Sequence, residues 1–140
     1  MTAVWPSELP QRPLRDPYRR SLASGRQLTS ADSGPPRSRR RYSRVARPAS
    51  MAFIVTLNQL ARFWRFHDEE LDGGTLPFWI RDPVMNGVPV LTTDGAPILI
   101  GGLPLLTSSW WLCILDQDPP SEASLGGGRF QLSVPMLVMP

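Results

Sequence analysis

Residues 87–106, GVPVLTTDGAPILIGGLPLL, repeat the pattern Gly-x-Pro-(Val/Ile/Leu)-Leu three times. The copies begin at Gly87, Gly95 and Gly102, so they are spaced eight and seven residues apart. Glycine favours turns, and proline fixes φ and lacks a backbone donor, so each copy is predicted to be a turn followed by a short strand. The Asp94-Gly95 pair adds a hairpin signal. We therefore predict a hairpin insertion over residues 84–106.

Three interpretations of this repeat imply different functions. A membrane segment needs about 20 apolar residues, and the run 96–106 has about half that length and contains Pro97 and Pro104. A loop that cradles phosphate needs a helix after its glycines, and none is predicted after any copy. Paired apolar strands are costly to expose, so packing against a neighbouring copy of the chain is the favoured interpretation.

One helix is predicted, over residues 57–71. Thr56 and Gln59 have the spacing of a capping box, and Gly73-Gly74 provides a stop signal. An apolar stripe at helical spacing is expected to face the core; its members are Leu57, Leu60, Ala61, Trp64 and Leu71.

Strands are predicted elsewhere from runs of apolar or alternating residues, over residues 49–56, 75–80, 109–115 and 129–138. The Arg-rich segment 37–47 alternates as an edge strand would, with a solvated loop as the alternative. The predicted fold is mainly β (α+β): an antiparallel β-sandwich or partly open barrel with one flanking amphipathic helix. We divide the chain into an extended N-terminal arm, residues 1–36, and a single sandwich domain, residues 37–140.

Charge is distributed unevenly along the chain. Residues 1–50 carry eleven Arg against three acids, a net charge of +8, whereas residues 51–140 carry four Arg against nine acids, a net charge of −5. This asymmetry is typical of nucleic-acid contact, or of docking between oppositely charged halves of neighbouring copies. Four acids, Asp68, Glu69, Glu70 and Asp72, lie at the helix end that disfavours negative charge, so an Arg partner is expected.

No catalytic, metal-binding or cofactor-binding residues are predicted, and the chain is not expected to be an enzyme. His67 is the only histidine, and too few further ligands accompany it to make a metal site. Cys113, the only cysteine, lies in an apolar strand and is expected to be buried and inert. Gly126-Gly127-Gly128 precedes a predicted strand and is interpreted as a hairpin turn. The N-terminus lacks the charged and apolar regions of a signal peptide.

Three stretches together resemble the small minor tail or distal tail proteins of long-tailed (siphovirus-like) bacteriophages and prophages. They are WPSELPQRPLRDPYRR, LARFWRFHDEELDGGTLPFWIRDP, and WWLCIL with the closing GGGRFQLSVPMLVMP. The resemblance implies a β-sandwich with a flanking helix, related to tail-tube subunits. The chain departs from that family at Pro17, where its members usually have Gly, and in the length of the triple repeat.

The resemblance further implies a structural virion protein of the tail, assembled in the cytoplasm of the host bacterium. Such proteins form a ring, typically of six copies, between the tail tube protein and the tail tip or hub proteins. Whether the ring has six or three copies stays open, as does the use of Met51 as an alternative start of translation. The alternative function is nucleic-acid binding through the Arg-rich N-terminal segment.

From the uneven charge distribution and the family resemblance together, we predict an interface between copies. Bidentate pairs between the arginines of one copy and the acidic cluster of the next would fix the register, and apolar residues would supply most of the affinity. The predicted interface residues are Trp5, Tyr18, Arg39, Arg40, Arg41, Arg44, Asp68, Glu69, Glu70, Asp72, Pro89, Leu91, Pro97, Ile98, Leu99, Pro104 and Leu105.

Overall fold

The computed structural model describes residues 2–16 and 18–140. These residues form one α-helix, α1 (Leu57–Arg65), and eleven strands. The strands are β1 (Ala3–Val4), β2 (Arg19–Arg20), β3 (Arg26–Thr29), β4 (Arg37–Arg40), β5 (Arg47–Thr56), β6 (Phe78–Arg81), β7 (Leu99–Ile100), β8 (Leu103–Pro104), β9 (Trp110–Leu115), β10 (Ser121–Gly126) and β11 (Arg129–Val138). The predicted mainly β fold with a single helix is confirmed.

Seven strands form one sheet around β11: six follow the order β1-β6-β9-β11-β5-β2, and the seventh, β10, lies off this path and pairs with β11. One edge of β11 pairs with β5 along its full length, from Arg129 opposite Thr56 to Val138 opposite Arg47. Its other edge pairs first with β10 and then, from Met136 onward, with β9. The sheet is mixed, because β1 runs parallel to β6, and it does not close into a barrel. β3 with β4 and β7 with β8 form separate two-stranded sheets.

The helix begins at the predicted capping box. Gln59 N–H donates to the Thr56 side chain, and Thr56 N–H donates to Gln59 Oε1. After Arg65 the helix widens into a π-helical turn, Phe66–Glu70, and ends at Leu71. The predicted span of 57–71 therefore comprises an α-helical and a π-helical part.

The predicted apolar stripe was partly wrong. Leu57 and Ala61 are exposed, whereas Leu60, Phe63, Phe66 and Leu71 face the core. Burial of Phe63 and Phe66 removes more apolar surface from water than burial of Leu57 and Ala61 would. The helix is therefore oriented with the two phenylalanines toward the core. The wide π turn then brings Phe66 and Leu71, five residues apart, onto the same buried side.

The core lies between the helix and one face of the sheet, and Trp5 is at its centre. Trp5 is 3% exposed, stacks on Phe53 at 5.1 Å between ring centroids, and contacts Phe63, Phe66 and Phe78. Leu9 is buried in the same cluster. The start of the predicted arm is thus part of the folded domain. The prediction of Trp5 as a contact between copies is wrong for this conformation, because its own chain encloses it.

Candidate assembly surfaces

The triple repeat folds into a compact unit that we call the knob, residues 87–107. The fourth residue of each copy bonds to the fourth residue of another copy, in a closed cycle. Val90 N–H donates to the Leu105 carbonyl at 2.8 Å, Leu105 N–H to Ile98 at 2.8 Å, and Ile98 N–H back to Val90 at 2.9 Å. The cycle gives the knob a pseudo-threefold arrangement of its three repeats.

The third and fifth residues of the repeats follow the same pseudo-threefold arrangement. The proline of each copy lies opposite the last leucine of the preceding one: Pro97 opposite Leu91, Pro104 opposite Leu99, and Pro89 opposite Leu106. Opposed residues share a face of their strands, so these three pairs form one apolar face. All six side chains are exposed, whereas Val90 and Ile98 are half-buried and Leu105 is 38% exposed.

Asp82 holds the base of the knob, where the chain leaves β6 to enter the knob and returns from it to β9. This carboxylate is 5% exposed and accepts hydrogen bonds from Val84 N–H at 2.8 Å and Met85 N–H at 3.0 Å. Ser109 Oγ also donates to it, at 3.3 Å, and Ser109 N–H donates to the Asn86 side chain at 3.0 Å. These bonds link the two chain crossings, so the knob is anchored to the sheet by polar contacts.

The second exposed feature is the basic hairpin, β3 with β4. Every residue of both strands is exposed. Arg26 lies opposite Arg40, and Arg39 donates to Gln27 Oε1 at 3.0 Å opposite it. Of the predicted interface arginines, Arg39 and Arg40 lie in β4, whereas Arg41 and Arg44 follow it in a loop. The predicted strand over 37–47 thus ends at Arg40, and β5 begins at Arg47.

Two positive charges, those of Arg26 and Arg40, face each other across the basic hairpin. A two-stranded hairpin that buries no face is marginal in water, and like charges directly opposite each other weaken it further. Within residues 2–16 and 18–140, Arg62 is the one arginine in a salt bridge. An open cleft of about 590 Å³ lies at the base of the hairpin, lined in part by Arg26, Arg40, Tyr42 and Arg47.

The acidic cluster at the end of the helix is partly neutralised from within. Arg62 donates to Glu70 Oε1 at 2.9 Å and also approaches Glu8 at 3.7 Å, and His67 bonds to Asp68 at 2.9 Å. Glu69 and Asp72 are exposed. In the part of the chain described, no salt bridge joins this cluster to the basic hairpin. Glu70 therefore pairs with Arg62 of its own chain, and the pairing of the cluster with arginines of an adjacent copy stays a prediction.

The sheet face opposite the helix is only partly covered, although Ala52 on it is buried, and we call it the outer face. Residues that alternate with the buried ones point to it, and its apolar members are Val4, Ile54, Trp79, Trp110, Leu112, Ile114 and Leu137. Trp79 lies opposite Leu112, and Arg81 lies over the Trp110 ring at 5.3 Å. A sandwich would cover this face with a second sheet, and the described part of the chain supplies none.

Tyr18, another predicted interface residue, is half-buried and packs against the core. Its hydroxyl has no hydrogen-bond partner among the described residues. Burial raises the pKa of Tyr18; Arg20 opposes this shift and Asp82 reinforces it. Tyr18 thus contributes mainly to packing within its own chain and exposes little side chain for contact with another copy.

Among the described residues, no group of three His, Cys, Asp or Glu side chains is placed to hold a metal ion. Cys113 is fully buried, and burial raises the pKa of its thiol to about 12. No helix within the described residues has the length and apolar character to cross a membrane.

Sequence reasoning missed three features of these surfaces. It overlooked the closed hydrogen-bond cycle, although the strict repeat signalled a symmetric unit. It also missed Asp82, although an Asp-Pro turn after a strand commonly caps the following amides. The outer face was signalled by β9, which has apolar residues pointing to both faces of the sheet: Trp110, Leu112 and Ile114 alternate with the side chains that point to the core.

Comparisons with known proteins return no similar protein. No family model matches this chain, and no curated protein or solved structure is significantly similar to it.

Proposed function

We propose that this protein is a structural subunit that assembles into a ring at the distal end of a bacteriophage tail, joining the tail tube to the tail tip. The observation that carries the proposal is the exposed apolar face of the knob. Three proline–leucine pairs at the solvent are costly for an isolated chain, and such contiguous patches mark interaction sites. The resemblance of the three sequence stretches to minor tail proteins supports the position in the tail.

Copies of the chain are the partners that the surfaces favour first. The knob is apolar, the basic hairpin is positive, and the helix end is negative, so one copy carries surfaces that complement different surfaces on another. Contacts between unlike surfaces are head-to-tail, and they close into a ring when the rotation between copies permits. Six copies is the number that we propose.

Apolar contacts supply most of the affinity in this proposal. Exposed ion pairs, such as those between Arg39 or Arg44 of one copy and Glu69 of the next, are worth roughly 1 kcal/mol or less each. Buried apolar surface contributes about 25 cal/mol per Å² before the cost of association is met. The charged surfaces therefore set the register and the rate of encounter.

The mass of the full chain in solution tests this proposal. Light scattering over a range of protein concentrations should give a mass near six copies of the 15.6 kDa chain, and electron microscopy should reveal rings. Glu69→Arg should weaken assembly, because Glu69 is exposed and forms no salt bridge within the described chain. Asp118→Arg, also exposed, is the matched control outside the acidic cluster.

A monomer at every concentration, with or without tail tube protein, would contradict the proposal. If the Glu69→Arg variant forms rings equally well, the ring proposal stands, but the acidic cluster is not part of the interface between copies.

A second candidate function is nucleic-acid binding by the basic hairpin. Its arginines, which form no salt bridge with any described residue, favour this function, together with the exposed Tyr42, whose ring lies 5.3 Å from the Arg41 guanidinium. Phosphate contacts by several arginines would release counterions, so affinity for labelled duplex DNA should fall steeply with salt. Loss of this binding in Arg26→Gln/Arg37→Gln, two exposed hairpin arginines outside the predicted interface between copies, with ring mass unchanged, would separate the two functions.

A further inference from the structure

We infer that the knob of one copy packs on the outer face of the next copy. This inference rests on the proposed ring and names the contact that would build it. Both surfaces are apolar, both are at least partly uncovered in one chain, and they differ in shape: the knob is a separate compact unit and the outer face is part of a sheet.

The knob presents its apolar face in a fixed form. The closed cycle of Val90, Ile98 and Leu105 holds the three strand pieces together, so the surrounding proline–leucine pairs are ordered before any contact. Prolines have little conformational freedom to lose. A surface ordered in advance loses less entropy on binding than a flexible loop would, which favours a stable contact.

Among the described strands, no second sheet covers the outer face. Trp79 and Trp110 are both exposed there, beside half-buried Leu112 and Ile114. Aromatic anchors surrounded by aliphatic residues are typical of the centres of protein interfaces. The helix and Trp5 already cover the opposite face, so this is the face of the sheet that a second copy can reach.

Charge complementarity favours the outer face as the surface that receives the knob. Asp94 is the one ionisable side chain in residues 83–109, and it lies in the exposed turn between the first two repeats. The charged side chains on the outer face, among the described strands of the seven-stranded sheet, are Arg19, Arg81 and Arg129. The single negative charge of the knob, at Asp94, would be attracted to this face.

The same charges disfavour the symmetric alternatives. Two knobs in contact would bring two Asp94 carboxylates together, and two outer faces in contact would bring arginines together. The contact between unlike surfaces avoids both, and it is head-to-tail, as closure of a ring requires.

Cysteine cross-linking between two differently marked copies tests this contact. Leu99→Cys places a thiol on the knob, and Trp79→Cys places one on the outer face. Each variant is purified alone, the two are mixed, and the mixture is oxidised mildly with diamide. Cys113 is fully buried and does not interfere. Leu28→Cys is the matched control, because Leu28 is 53% exposed and Leu99 is 58% exposed.

We expect a disulfide-linked heterodimer in the mixture of Leu99→Cys with Trp79→Cys, at least tenfold more abundant than with Leu28→Cys. Light scattering of the wild-type chain runs in parallel. An assembled protein without this cross-link, or with cross-links between two Leu99→Cys copies instead, would overturn the inference and leave the ring intact. A monomeric wild-type chain would overturn the inference together with the proposed function.

Discussion

Trp5 and Phe53 stack with their ring centroids 5.1 Å apart, and this pair ties the first residues of the chain to the long central strand β5. Trp5 N–H also donates to the Trp79 carbonyl at 2.8 Å, and its indole donates to the Pro10 carbonyl at 3.1 Å. The N-terminal segment is therefore a structural part of the domain. A chain begun at Met51 would lose Trp5, Leu9 and the first residues of β5.

Replacement of Trp5 by alanine should lower the free energy of unfolding by about 3–5 kcal/mol, because it removes a large ring from a closely packed aromatic cluster. Urea denaturation followed by circular dichroism measures the loss. Trp110→Ala is the matched control, since that ring is half-exposed and should cost about 1–2 kcal/mol. Equal losses in the two variants would contradict the central position of Trp5.

Replacement of Asp82 should loosen the base of the knob. Asp82→Ala leaves the amides of Val84 and Met85 without an acceptor, at a cost of about 1–3 kcal/mol. Asp82→Asn retains an oxygen acceptor and should cost less. Amide hydrogen exchange at Val84 and Met85 should accelerate in the alanine variant, and comparable exchange in both variants would contradict the capping role.

Gly102→Ala should weaken the knob locally. Gly102 has φ of +80° in open space, so an added Cβ meets no neighbour and the cost is backbone strain, about 1–2 kcal/mol. Hydrogen exchange at the Leu105 amide should accelerate about tenfold. Gly34→Ala, at φ of +99° in the turn of the basic hairpin and also in open space, controls for strain outside the knob. Acceleration at Leu105 in that control would contradict a local effect.

The buried thiol of Cys113 should make stability depend on alkaline pH. Burial raises its folded-state pKa to about 12 from an ordinary value of 9.0, so between these values the unfolded chain loses a proton that the folded chain keeps. Stability is therefore fully present below pH 9 and falls by about 1.4 kcal/mol per pH unit as pH rises toward 12. Urea denaturation across this range measures the slope. Cys113→Ala should lack this contribution, and an identical slope in that variant would contradict the assignment.

The sequence predicted the parts of the fold that depend on local signals. The capping box at Thr56 placed the start of the helix, apolar runs placed most of β5 and β9, and alternating apolar residues placed β11. Each of these signals operates within a few residues, where periodicity and turn chemistry dominate.

The rest depends on contacts between distant segments. Trp5 was assigned to an extended arm because the surrounding prolines predicted extended backbone, and nothing local indicated that Phe53 and Phe78 would enclose it. Phe66 was omitted from the core stripe because the π turn changes the helical period after Arg65. Phe63 lies within the regular α-helix and was omitted because the stripe was drawn through Leu57 and Ala61, on a neighbouring side of the helix. The repeat predicted short paired strands, but its closed cycle needs all three copies together in space.

That closed cycle limits how the chain can vary. Each repeat uses the N–H of its fourth residue toward one neighbour and the carbonyl of that residue toward the other, so no repeat has an edge to offer a fourth copy. Solenoids grow by adding repeats at an open end, and the knob has no such end. Relatives that carry the knob should keep three copies and differ in the turns between them, whose lengths already differ by one residue at Gly95 and Gly102.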